Sequence, residues 1–145
     1  MAGAEDVNYR ETLIAVAEDC PVSSSVVPAP RGGKKTVPVL QYELLKDHPY
    51  RYTSAEVLFE VTMRHRGLSP AELRSRRTEL WADFFARPQP CLRASALPKT
   101  YGWGIHCDHQ GRVALCPMES ADYRRFALGR TGGPVILRAF RTSRR

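Results

Sequence analysis

Three features of the sequence predict a single α+β domain in which a small, mostly antiparallel sheet packs against three to four helices. Two helix-start signals of the capping-box type, Thr53-Ser54-Ala55-Glu56 and Ser69-Pro70-Ala71-Glu72, each lead into an amphipathic run. Two β-like runs, 104–107 and 112–116, flank Asp108-His109-Gln110-Gly111, the pattern of a hairpin. Short apolar runs rich in β-branched residues stand near both ends of the chain.

Each element follows in order. The run 12–17, closed by Asp19-Cys20-Pro21, reads as a strand, with a helix as the alternative. From 21 to 38 the chain holds four prolines, two glycines and a Ser23-Ser24-Ser25 run, the composition of a long exposed loop, and loops of that length are either functional or disordered. Thr36 can cap a helix over 37–47, with Val37, Leu40, Leu44 and Leu45 on one face and His48-Pro49 as its stop. A helix over 54–66 carries Val57, Leu58 and Val61 toward the stop at Gly67. The next helix, 70–86, opens on Pro70, aligns Leu73, Leu80, Trp81, Phe84 and Phe85, and turns Arg74, Arg76, Arg77 and Glu79 to the other side. Residues 91–95 are β-like and bounded by prolines, the hairpin follows, 119–128 suits a helix, and 135–140 is a last strand after Gly132-Gly133-Pro134. The tail, 141–145, is expected to fray.

At 145 residues the chain has the length of one domain with its own core, spanning 1–145. A hydrophobic fraction of 43% with 26% charged residues excludes global disorder. No run nears the roughly 18 apolar residues that cross a bilayer, and Glu5 and Asp6 stand where a signal peptide carries bases, so the expectation is a cytoplasmic protein without membrane contact. In that compartment Cys20, Cys91, Cys107 and Cys116 are expected as free thiols. The net charge of +7 is uneven: residues 1–60 hold six basic and nine acidic side chains, and 61–145 hold sixteen and six. Eighteen of the twenty-two basic residues are arginine, whose planar fork of donors matches phosphate or carboxylate. An anionic partner is one reading of that excess, and solubility is the other.

The runs Val16-Ala17-Glu18-Asp19-Cys20-Pro21, Gly32-Gly33-Lys34-Lys35-Thr36, Tyr52-Thr53-Ser54 with Val57-Leu58-Phe59, Cys91-Leu92-Arg93-Ala94-Ser95 and Tyr101-Gly102-Trp103-Gly104-Ile105-His106 occur in that order. In them the chain resembles, over nearly its whole length, a bacterial family of domains of unknown function. The resemblance implies kinship and no activity, cofactor or partner. It also turns attention away from Cys107, His109 and Cys116, which lie outside the shared motifs.

Four groups of residues invite chemistry. Gly32-Gly33-Lys34-Lys35-Thr36 before a helix offers amides, ammonium groups and a positive helix end to an anion, without the spacing of a P-loop. Tyr101-Gly102-Trp103-Gly104-Ile105-His106 could stack on a planar ligand, with His106 as a candidate general acid or base, or could simply form a turn around a packed indole. His106, Cys107, His109 and Cys116 have the ligand types of a zinc site without its spacing, so no metal is expected. Helices 54–66 and 70–86, joined by a glycine turn, resemble a DNA-reading pair, but the aromatic face of the second favours a helical hairpin with solvated arginines. The preferred reading is a binding module for a nucleotide or nucleic acid through Lys34, Lys35, Arg93, Tyr101 and Trp103, with no cofactor. The alternative is an enzyme for a small anionic metabolite, with a pocket around Tyr101, Trp103 and His106 joined by Cys91 or Arg93.

Overall fold

In the computed structural model, which describes residues 3–142, four strands form one sheet in the order β3-β2-β1-β4. They are β1 (Thr12–Ala15), β2 (Trp103–Cys107), β3 (Val113–Pro117) and β4 (Val135–Arg138). β2 pairs antiparallel with both β1 and β3, while β4 lies parallel to β1. Six α-helices accompany the sheet: α1 (Val37–Lys46), α2 (Ser54–His65), α3 (Pro70–Ser75), α4 (Arg77–Phe85), α5 (Ala96–Thr100) and α6 (Ala121–Ala127). The fold is α+β and a single compact domain.

Strand alternation decides which residues meet. Ile14, Ile105, Cys107 and Val113 point to one face, where they bury Leu44 and Leu45 of α1 and Val57 and Val61 of α2. Leu13, Ala15 and Cys116 point to the other, where Tyr123 and Phe126 of α6 cover them. Beyond α2 a second cluster joins Phe59 and Met63 to Leu73, Phe84 and Phe85 of α3 and α4.

The two capping boxes form as the sequence predicts, whereas Thr36, at the start of α1, makes no side-chain cap hydrogen bond. Thr53 Oγ1 accepts from Glu56 N and the Glu56 carboxylate accepts from Thr53 N, while Asn8 Oδ1 takes the next free amide, that of Ala55. Ser69 and Glu72 make the same reciprocal pair at α3. The hairpin turn is held by Asp108 Oδ1, which accepts from Gln110 N and Arg112 N.

Three expectations need correction. The helix over 70–86 breaks at Arg76, whose φ of −115° and ψ of 16° leave the helical region. The apolar stripe has no member at 76 and 77, and the break lets Arg77 reach back to Glu60 on α2. Residues 91–95 are not a strand but a 3-10 turn, Leu92–Ala94, followed by α5, which Ser95 caps by accepting from Leu97 N. The helix count is therefore six instead of three or four. At the start of the tail Arg141 pairs with Glu18, and Thr142 is held by the Asp19 carboxylate through its amide and hydroxyl. Residues 143–145 lie outside the described residues.

Candidate functional site

The residues singled out by the sequence do not gather at one place. Gly32 and Gly33, with φ of +56° and +76°, form a two-residue turn in which Arg31 and Lys34 exchange both backbone hydrogen bonds. Those amides are thereby consumed, and the Lys35 ammonium pairs with Glu43 of α1 at 2.8 Å. Lys34 is exposed. Trp103 is half-buried: its Nε1 donates to Val26 O, its ring leans on Tyr42 of α1 at 5.2 Å, and the Tyr101 carbonyl accepts from Val26 N. These two aromatics thus anchor the 21–36 loop. Arg93 Nε donates to Arg138 O, its guanidinium lies over the Phe140 ring at 4.6 Å, and its own carbonyl accepts from Phe140 N, so it ties down the end of β4.

His106 stands on the opposite face of the sheet from Trp103. Three residues apart on one strand, the two side chains must diverge. A pocket shared by Tyr101, Trp103 and His106 is therefore not formed. The imidazole stacks on Phe126 at 4.3 Å with an interplanar angle of 10°, and Nδ1 is hydrogen-bonded to Tyr50 Oη at 2.8 Å. Burial lowers its pKa, against the pull of Asp108 and Asp122. It lines a hollow of about 520 Å³ together with Asp108, His109, Arg125 and Arg130. Cys107 points to the α1 and α2 side and Cys116 to the α6 side. Among the described residues no three His, Cys, Asp or Glu side chains are grouped closely enough to hold a metal ion.

The basic side chains that do converge lie elsewhere. Arg51, Arg64, Arg74 and Arg77 line a hollow of about 680 Å³ between α2 and α3, with Tyr52 and Glu60. Glu60, only 8% exposed, receives Arg77 Nη1 at 2.6 Å and Arg64 Nη2 at 3.9 Å. Arg77 is further fixed over the rings of Phe59 and Trp81, and Arg51 lies over Tyr52. Arg51 and Arg74 make no ion pair among the described residues. The lining of the hollow thus holds four guanidinium groups and one carboxylate, and two of the four, Arg64 and Arg77, pair with it. Read as a solvated face of the second helix, Arg74 and Arg77 give no hint of this; the usable signal was the concentration of arginine after residue 60.

Fold and site together define a small α+β domain whose helical layer carries an arginine-lined hollow. Residues 4–145 match a family of unknown function (DUF6157), and the chain belongs to that family. No curated protein and no solved structure matches it. No helix among the described residues is long and apolar enough to cross a membrane.

Proposed function

We propose that the protein binds a phosphate-bearing ligand of nucleotide size in the hollow between α2 and α3. The observation that carries this reading is that four guanidinium groups line the hollow beside the single carboxylate of Glu60, which pairs with only two of them. A planar fork of donors suits phosphate oxygens, and the volume lies within the range of small-molecule sites. Arg51 and Arg74, which make no ion pair among the described residues, would take the phosphates, Arg51 leaving the Tyr52 ring over which it lies, while Arg64 and Arg77 are held in place by Glu60. The site replaces the surface of Lys34, Lys35, Arg93, Tyr101 and Trp103, whose polar groups are largely engaged in holding the fold.

Titration calorimetry with ADP at low ionic strength tests it. Binding should weaken steadily as salt is added. Arg74→Ala and Arg51→Ala should each lower affinity about tenfold, the scale of one charge-assisted hydrogen bond, while Lys34→Ala should leave it unchanged. Absence of binding at low salt, or equal loss in all three variants, overturns the proposal. Tighter binding of a single-stranded oligonucleotide than of ADP, equally sensitive to Arg74, would move the ligand from nucleotide to nucleic acid.

A second reading, acid–base chemistry on a small anion, is favoured by one observation: the Tyr50-bonded imidazole of His106 lines a hollow that also holds Arg125 and Arg130, beside Glu11 and Asp108. It requires that His106→Gln abolish turnover of an anionic metabolite while leaving ADP binding at the arginines intact.

A further inference from the structure

A third hollow, of about 330 Å³, lies where α1, α2, the end of α4 and the turn before α5 meet. Its walls are apolar, including Val37, Leu58, Val61, Phe84, Pro90 and Leu92. Cys91 supplies the sole titratable side chain in its lining, so the site has no charge to offer an ion. Four hydroxyl or carboxamide side chains border it, of which Thr62 and Gln89 are half-buried, Gln89 donating its Nε2 to Phe84 O, while Gln41 of α1 and Ser95, the cap of α5, are buried, Gln41 to 4% exposure.

Their hydrogen bonds fix which group faces the hollow. Ser95 Oγ accepts from Leu97 N at 3.2 Å and donates its single proton to Gln41 Oε1 at 2.6 Å. The Gln41 carboxamide is thereby oriented, and its NH2 group donates to nothing among the described residues. Among them the one fully buried side-chain nitrogen or oxygen without a hydrogen bond is Ser54 Oγ, so the Gln41 nitrogen opens on accessible space, and the space that Gln41 lines is this hollow. A donor pair aimed into an apolar enclosure gains most from an acceptor that arrives with it, because leaving it unmatched beside an apolar occupant costs its hydration.

We propose that this hollow is a binding site for a small, neutral, largely apolar molecule bearing one carbonyl oxygen, which accepts from the Gln41 carboxamide while its apolar part packs against Leu58, Val61 and Phe84. A carboxylate fits less well, since no cation lines the enclosure and an unpaired buried charge is strongly disfavoured. The site is separate from the arginine hollow and does not depend on it.

The test compares two probes of similar shape, benzamide and toluene, on the full chain by ligand-observed NMR and calorimetry. Benzamide should bind saturably and about tenfold more tightly than toluene, the scale of one buried hydrogen bond. Gln41→Leu, which keeps the volume, should remove that preference while leaving toluene binding in place. Should Gln41→Leu fail to fold, because it strands the Ser95 hydroxyl, Ala94→Phe serves instead: it fills the hollow from the turn, leaves Gln41 and Ser95 bonded, and should abolish binding of both probes. Equal affinity for the two probes, no binding of either, or benzamide binding that survives in Ala94→Phe overturns the proposal.

Discussion

Gly104 lies where the ring of Tyr123 presses onto the sheet: a Cβ there would stand 2.7 Å from Tyr123 Cε2 and 3.0 Å from Cys116 O. Tyr123 cannot simply give way, because its hydroxyl accepts from Val16 N at 3.0 Å. Gly104→Ala should therefore cost about 1–3 kcal/mol, the range for overpacking a filled core, read as a lowered denaturation midpoint. Next to it on β2, His106 titrates with its pKa lowered by burial. The unfolded chain thus binds a proton more readily than the native one, so the contribution of this residue to stability is present above its unfolded pKa and is lost as pH falls through the folded value. The thermal midpoint of the wild type should drop more on acidification below pH about 6.5 than that of His106→Gln. Burial also pushes the Cys107 thiol up to about 12 and raises that of Cys116. Since the thiolate is the nucleophile, both should resist thiol reagents until the protein unfolds, as labelling followed by mass spectrometry would report.

At the level of elements, what could be read from the sequence is what depends on neighbours within a few positions. The capping boxes at Thr53 and Ser69 need only a hydroxyl, a carboxylate three residues on, and an apolar run. Both starts are where the sequence places them. Thr53→Ala should cost about 1 kcal/mol, and Thr53→Ser should restore most of it, as chemical denaturation would show. The errors arose where a distant partner decides. The only local sign of the break at Arg76 is the gap in the apolar stripe at 76 and 77, and the contact it permits, Arg77 to Glu60, lies seventeen residues back. The turn and helix over 92–100 follow from Ser95, which caps α5 while bonding Gln41 on α1. Its cap signal before Ala96-Leu97-Pro98 was present and was masked by the β-like run before it.

Across the whole molecule, the loop 21–36 is an ordered strap whose attachments come from far along the chain. Trp103 Nε1 and the Tyr101 carbonyl hold Val26, and the Glu119 carboxylate holds Ser25 through its amide and hydroxyl. Trp103→Phe keeps the ring against Tyr42 and removes one of these bonds. It should speed hydrogen exchange and proteolysis within residues 22–30 while the global midpoint shifts by less than about 1.5 kcal/mol, the net worth of one hydrogen bond. The same long-range logic separated the candidate site from its sequence prediction. Trp103 and His106 are neighbours in a motif yet lie on opposite faces of the sheet, while Arg51, Arg64, Arg74 and Arg77, spread over four segments, share one hollow.

By itself the sequence determined the fold class, the positions of the capped helices and the hairpin, the excess of arginine in the C-terminal part, and kinship with a family. These follow from periodicity, caps, turns and counts, which act over a few residues or none. Only the tertiary structure decided that β4 runs parallel beside β1, that the aromatic motif anchors a loop, and that guanidinium groups converge on Glu60. Which side chains meet is settled by the packing of apolar faces from remote segments, and a charged group goes wherever that packing carries its backbone.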